Sequence, residues 1–238
     1  MSILLSLALL AADPTKPMGA TITAQGPNGT TSTMNAEPVA GDKRVDQAVD
    51  AIKAGKPADA LPLLDAVIAD FEKANPPDPN VMKFSARSTA QIVVYAAIPA
   101  TQKKAGVVVD GNWATAYFLK GFALIDLNRS DEALPNFDRA IALSPMDSQF
   151  LAERGEWYKS HKQWDKAYAD FESARSFAGM SNDDSQASNE GRALRGMGFV
   201  LIEQGKLKEA KKMFKDALKL NPNDQGAKNE LAYIESLN

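Results

Sequence analysis

His161 is the only histidine among 238 residues, and cysteine is absent. Without thiols there is no disulfide framework, no thiolate metal site, no cysteine nucleophile and no lipid attached through cysteine. A lone imidazole excludes any site that needs two. His161 falls in Ser160-His161-Lys162-Gln163, a polar turn pattern in which nothing desolvates or orients a ring for general-base work. Asp183 and Asp184 stand side by side in a polar run, SNDDSQAS, without the alternating ligands of a calcium loop. No GxSxG elbow, phosphate loop or HExxH helix occurs. A carboxylate pair carried on helices is the catalytic option that remains. The chemistry thus calls for no metal and no cofactor. The 27 Lys and Arg against 30 Asp and Glu leave a net charge of −3, which argues against a dedicated nucleic-acid binder.

The elements that position the remaining side chains are legible as an internal repeat. Gly121 is followed, at offsets of 12, 4, 3 and 5 residues, by Ala133, Phe137, Ala140 and Pro145. The same steps from Gly155 reach Ala167, Phe171, Ala174 and Gly179, and from Gly198 they reach Ala210, Phe214, Ala217 and Pro222. Ala133 and Ala167 are 34 residues apart, whereas Ala167 and Ala210 are 43 apart, so a polar insertion sits near Ser181–Ser188. Alanine, phenylalanine and alanine at i, i+4 and i+7 share one helix face. Tyr117, Gly121 and Leu124 do the same upstream. Small residues at Gly121 and Ala133 allow two helices to approach closely across the polar turn Asn128-Arg129-Ser130-Asp131, where Ser130 or Asp131 is placed to cap the second helix. Pro145 ends it. Each unit is a helical hairpin with an apolar edge that only a stacked neighbour can cover.

Three units in register, Ala114–Met146, Ser148–Asn182 and Gly191–Asn223, resemble the tetratricopeptide repeat family. Lys120 and Arg154 depart from the pattern, standing where the family usually has leucine. Tyr117, Leu151 and Leu194 stand where tryptophan is common. The fold class expected is all-α: an α-solenoid of such hairpins with a C-terminal capping helix over 224–238 and a disordered N-terminal segment. Asp224 is placed to cap that last helix, whose apolar residues are Ala227, Leu231 and Ile234. Upstream, 43–113 reads as a degenerate, helical stretch of the same kind. Ala48, Ala60, Leu64 and Val67 keep the offsets over Lys43–Glu72. Asn80–Ile98 reads as helical with Phe84, Ile92 and Tyr95 in its core, Pro99 as its end or kink, and Thr101–Val109 as either a short helix or an extended loop.

The resemblance implies that the first helix of each hairpin lines a concave groove that takes a peptide. In this chain that stripe holds Phe118, Phe122, Ile125 and Asp126, then Ala152, Glu156, Lys159 and Ser160, then Arg195, Phe199, Ile202 and Glu203. The groove so composed is apolar at both ends and charged between, suited to an amphipathic or extended protein segment. Packing of Phe122 and Phe199 on neighbouring helices is the competing reading. Chaperone-binding relatives hold a C-terminal carboxylate with Lys and Asn one turn apart. Here those positions hold Phe118 and Phe122, then Ala152 and Glu156, so that ligand is not expected. Lys206, Lys208, Lys211, Lys212, Lys215 and Lys219 crowd one helix and read as a solvated outer face.

Function is therefore expected to be non-catalytic protein binding, as a scaffold. The alternatives are an accessory or regulatory subunit of a cell-envelope enzyme complex, or an enzyme using carboxylates alone. Residues 13–42 hold four prolines, four glycines and six threonines and read as a disordered linker. Ser2–Ala12, SILLSLALLAA, is too short to span a bilayer, which takes roughly 20 apolar residues. It has the length of a secretory apolar region, although no basic residue precedes it and Leu10 spoils a small-x-small cleavage pattern. A signal peptide is the reading preferred over a short apolar helix. Location in a bacterial periplasm follows, with the cytoplasm as the alternative. Sequencing of the mature N-terminus is expected to begin near Asp13, and an intact Met1 in native material would defeat export with cleavage.

Overall fold

Three phenylalanines lie over three glycines of the preceding helix. In the computed structural model, which describes residues 5–8, 20–25, 31–36, 42–180 and 186–237, a Cβ added to Gly121 would come within 2.7 Å of the Phe137 ring. At Gly155 it would meet Phe171 at 3.0 Å, and at Gly198 it would meet Phe214 at 2.6 Å. The repeat offsets are thus the spacing of ring-on-glycine contacts inside hairpins. The chain divides into two compact units, Met1–Ser144 and Pro145–Asn238.

The first unit carries three antiparallel strands, β1 (Leu5–Ala8), β2 (Ala20–Gln25) and β3 (Thr31–Ala36), followed by α1 (Lys43–Lys53) and α2 (Pro57–Ala74). The linker expected over 13–42 and the leader expected over 1–12 lie mainly outside the described residues. Their described parts are these strands. Asp42 caps α1 by accepting from the Arg44 amide at 2.9 Å. Ala48, Ala60, Leu64 and Val67 are fully buried where α1 and α2 pack. After α2 come β4 (Val81–Ala86), α3 (Thr89–Thr101) and β5 (Ala105–Asp110), then the hairpin of α4 (Asn112–Asp126) and α5 (Ser130–Leu143).

The helix expected over Asn80–Ile98 begins instead at Thr89. Residues 81–86 pair in parallel with 105–110, Val81 opposite Ala105 and Ala86 opposite Asp110, so this region is a strand–helix–strand crossover rather than a further hairpin. The segment left open as helix or extended loop is extended. Burial of Phe84, Ser85 and Ala86 together with the β-branched run Val107-Val108-Val109 explains the strand pair. Ser88 caps α3 through the Gln91 amide. Pro99 does not end α3. It occupies the last turn, and its ring lies where a Cβ on Gly106 of β5 would be, at 2.3 Å. Phe84 stacks on Tyr95 at 5.1 Å, and the Tyr95 hydroxyl bonds Ser144 at 3.1 Å, which ties the crossover to the end of α5.

The second unit holds α6 (Ser148–Ser160), α7 (Trp164–Ser176), α8 (Gln186–Glu203), α9 (Leu207–Leu220) and the capping helix α10 (Gln225–Ser236). Asp224 caps α10 through the Ala227 amide at 3.1 Å, and Ala227 and Ile234 are buried beneath it. Stacking of hairpin on hairpin rests on Phe171. Its ring contacts Gly155 of its own hairpin and also Gly196 of α8, where a Cβ would approach to 2.5 Å. The fold is therefore a predominantly helical solenoid of hairpins with a C-terminal cap, carrying a three-stranded antiparallel sheet and one parallel strand pair in the first unit.

All four hairpins turn alike. The second residue past the first helix has positive φ at Gly55 (70°), Asn128 (58°), Lys162 (56°) and Gly205 (73°). In each, the next amide returns to a carbonyl five residues back, as from Arg129 to Leu124 and from Lys206 to Leu201. This left-handed ending satisfies carbonyls that the helix leaves free. Neither Ser130 nor Asp131, the two candidates for the cap of α5, holds that position. They fall inside its first turn, and Arg129 holds the cap position without a side-chain bond. The return bond from the Arg129 amide shortens the turn and brings the helix start forward.

Gly196→Leu is expected to destabilise the protein by about 1–3 kcal/mol through overpacking against Phe171. Gly55→Ala, with open space around a left-handed backbone, should cost about 1–2 kcal/mol from backbone strain alone. Urea unfolding of both variants checks the pair, and an unchanged Gly196→Leu would show that the ring contact is not limiting.

Candidate functional site

Helix α6 starts at Asp147, whose carboxylate accepts from the Gln149 and Phe150 amides at 3.1 and 3.2 Å. Further along α6, Glu156 and Lys159 follow one another by one turn and form an ion pair. On α8, Arg195, Phe199 and Ile202 lie at i, i+4 and i+7 and share a face. The two helices meet across Phe171, and Lys159 Nζ comes to rest 4.8 Å from the centre of the Phe199 ring. Trp164, the first residue of α7, places its indole 6.5 Å from the same ring at a 50° tilt. Glu156, Lys159, Trp164 and Phe199 thus form a half-buried cluster with one neutralised cation, one aromatic face and one indole edge. A cation over an aromatic ring at such a surface contributes about 0.5–1 kcal/mol and fixes both side chains.

Burial along the stripe follows the repeat register rather than residue type. Phe118 and Ala152, equivalent positions, are 5% and 2% exposed. Phe118 packs on Phe137 with ring centres 6.1 Å apart. It is a core residue and offers no surface, contrary to its place among the expected groove residues. Its equivalent Arg195 is half-buried and holds Asp224, the cap of α10, in an ion pair. One turn on, Phe122, Glu156 and Phe199 are all half-buried. The next positions, Ile125, Lys159 and Ile202, run from 38% exposed at Ile125 to half-buried, and Asp126, Ser160 and Glu203 are exposed. The structure therefore brings together Glu156, Lys159 and Phe199 in the second unit and leaves Phe122, Ile125 and Asp126 on the first.

Trp164 was not among the expected site residues. It lies three residues before Ala167 and seven before Phe171, so the core register of α7 already contained it. Lys120 and Arg154, the two departures from the repeat pattern, are ion-paired. Lys120 meets Asp65 of α2 at 2.6 Å, and Arg154 grips the buried Asp170 of α7 through Nε and Nη2 at 2.7 and 2.8 Å. His161 is exposed, and its Nδ1–H donates to the Trp157 carbonyl at 2.7 Å while the ring stacks on Trp157 at 3.7 Å. On α9, Lys211 pairs with Glu235 and Lys219 with Asp216, while Lys208, Lys212 and Lys215 are exposed. Among the described residues no group of three or more acidic or histidine side chains could hold a metal ion, and no helix is long and apolar enough to cross a membrane.

Two family models of the tetratricopeptide repeat match the chain, one over residues 114–146 and the other over 191–224. A structure of pilF from Pseudomonas aeruginosa aligns over 81% of this chain and 66% of its own, at 16% identity and a TM-score of 0.56. That likeness shows the repeat fold. The first repeat domain of Spaghetti (RPAP3), bound to the HSP90 peptide SRMEEVD, aligns over 54% of this chain and 95% of its own, at 25% identity and a TM-score of 0.48. The MamA protein aligns over 75% and 72%, at 20% identity and a TM-score of 0.49. No curated protein matches the chain.

Two of the stripe's charges should separate by substitution. Arg195→Ala leaves the buried Asp224 carboxylate without its cation and is expected to destabilise by about 1–3 kcal/mol. Lys159→Ala, at the half-exposed pair, should stay within about 1 kcal/mol. Thermal unfolding of the two variants side by side provides the comparison.

Proposed function

We propose that this tetratricopeptide repeat protein is a non-catalytic binding module that takes a segment of a partner protein against Glu156, Lys159, Phe199 and Ile202. The observation that carries this reading is the Phe199 ring, left half-buried yet held by Lys159 on one side and Trp164 on another. Aromatic and cationic side chains fixed in advance lose little freedom when a partner arrives. The segment that suits them is amphipathic or extended, with an apolar side chain for Phe199 and Ile202 and polar groups for the Glu156–Lys159 pair. Phe122, Ile125 and Asp126 offer a second surface of similar composition on the first unit. Affinity in the region of about 1 μM fits a patch of this size. The chaperone carboxylate is not proposed as ligand, because Phe118, Phe122, Ala152 and Glu156 occupy the positions that would clamp it. Export to a bacterial envelope compartment belongs to the same proposal and is supported by the apolar run Ser2–Ala12.

A photo-crosslinking residue placed at position 199 in the native host should yield a protein adduct identifiable by mass spectrometry. The same residue at position 212, on the lysine-rich face of α9, should not. With the partner in hand, Phe199→Ala is expected to weaken binding by about tenfold, or about 1.4 kcal/mol. Equal affinity of Phe199→Ala and the parent chain would move the ligand to another surface.

A further inference from the structure

Helix α9 buries Ala210, Met213, Phe214 and Ala217. Lys208, Lys212, Lys215 and Lys219 follow one another at i, i+4, i+7 and i+11, which sets them along the line directly opposite that buried face. All four are exposed. At 1.5 Å per residue the row is about 16 Å long. The acids near it stand to the sides. Asp216, about 80° round the helix from Lys208, accepts from Lys219 at 2.7 Å, and Glu235 of α10 accepts from Lys211 at 2.9 Å. Among the described residues Lys208, Lys212 and Lys215 enter no ion pair.

The repeat itself does not call for this row. Counted from the alanines equivalent to Ala210, the same four positions of α7 hold Asp165, Ala169, Glu172 and Ser176. In α5 they hold two aspartates, a proline and an alanine, and in α2 one aspartate, a proline and two alanines. No cation stands at any of them. Like charges one turn apart disfavour a helix, so α9 gains no stability from its lysines. The chain as a whole carries a net charge of −3, and this ridge is a positive line upon it.

We propose that the lysine ridge of α9 seats the protein on an anionic lipid bilayer, the ammonium groups lying among headgroup phosphates and the helix axis lying along the surface. A convex helix meets a plane along one line, and the four ammonium groups occupy that line. Lysine is a compact charge on a flexible stem and suits headgroups that rearrange, whereas ordered recognition of a carboxylate or phosphate uses the planar fork of arginine, which α9 lacks. The row holds no aromatic side chain on which bases could stack and no tryptophan, tyrosine or arginine to anchor a protein interface. It holds no apolar side chain either, so the contact is electrostatic adsorption without insertion. Each lysine brought to an anionic surface raises partitioning about fivefold. The ridge shares no residue with Glu156, Lys159, Phe199 and Ile202, and the inference does not depend on that surface.

The test is co-sedimentation of the full chain with vesicles of phosphatidylcholine containing phosphatidylglycerol, set against vesicles of phosphatidylcholine alone. Binding is expected to the first only, and to be lost in about 1 M salt, where charge is screened within about 3 Å. Lys208→Gln, Lys212→Gln and Lys215→Gln combined should lower partitioning about a hundredfold, with thermal unfolding unchanged or raised because the repulsion is relieved. Arginine at the same three positions should restore it. Lys53→Gln, Lys73→Gln and Lys104→Gln combined remove as much charge from exposed positions of the first unit and should leave partitioning near that of the parent chain. Absence of binding to the anionic vesicles, equal binding to neutral ones, undiminished binding of the ridge variant, or an equal loss in the first-unit variant would each overturn the proposal. So would ridge-dependent binding of oligothymidylate or polyglutamate tighter than that of the vesicles, which would assign the ridge to a nucleic acid or an acidic protein.

Discussion

A phenylalanine ring wedged between two glycines governs the second unit. Phe171 has Gly155 beside it within its own hairpin and Gly196 beside it on the next; a methyl group would crowd the ring at the first and collide with it at the second. The ring is fully buried, and so are Ala167 and Ala174 on the same face. Close approach of the backbones is what brings α6 and α8 near enough for Lys159 to sit over Phe199. The proposed binding face is therefore a consequence of core packing. A larger residue at Gly196 would separate the helices and with them the side chains that meet across the gap.

Charge supplements the same geometry where the repeat pattern has lost an apolar residue. Arg154 replaces a leucine-type packing residue with a two-point bond to Asp170, and the pair stays inside one hairpin. Lys120 does the equivalent work across hairpins of the first unit by reaching Asp65. The Arg154–Asp170 pair, with its carboxylate buried, holds one geometry strongly and tolerates loss of one partner poorly, whereas the Lys120–Asp65 pair is exposed. The Arg154 pair also keeps the aliphatic stem of the cation over the core while the head is neutralised.

Legibility in the sequence tracked how local the physics was. The hairpins of 112–143 and 186–220 are legible because Ala133, Phe137 and Ala140, like Ala210, Phe214 and Ala217, answer to contacts within one helix pair. The left-handed turn ends at Gly55 and Gly205 fit glycine, whereas Asn128 and Lys162 adopt the same backbone without announcing it. The strand pair was hidden for a different reason. Val81 finds its partner at Ala105, 24 residues on, and Val-Met-Lys-Phe-Ser-Ala has no alternation that marks a half-buried strand. Pro99 looked like a stop, yet its ring has Gly106 to lie on. Phe118 and Phe199 are one residue type on equivalent helices, and register alone, offset by one turn, makes the first core and the second surface.

The register also explains why the stripe can vary without cost to the fold. Phe122, Glu156 and Phe199 share one position and one degree of burial despite unlike chemistry. Ile125, Lys159 and Ile202 share the next. Phe122, Glu156 and Phe199 each follow a ring-contacting glycine and stand about 100° round the helix from it, so these side chains do not take part in the ring-on-glycine contacts. Changes among them alter what is presented outward. A charged pair at 156 and 159 beside aromatic and aliphatic residues at 199 and 202 is a combination that the core neither requires nor forbids. That freedom is the physical ground for proposing recognition of a protein segment there and not on the lysine-rich face of α9, where Glu235 and Asp216 already neutralise part of the charge.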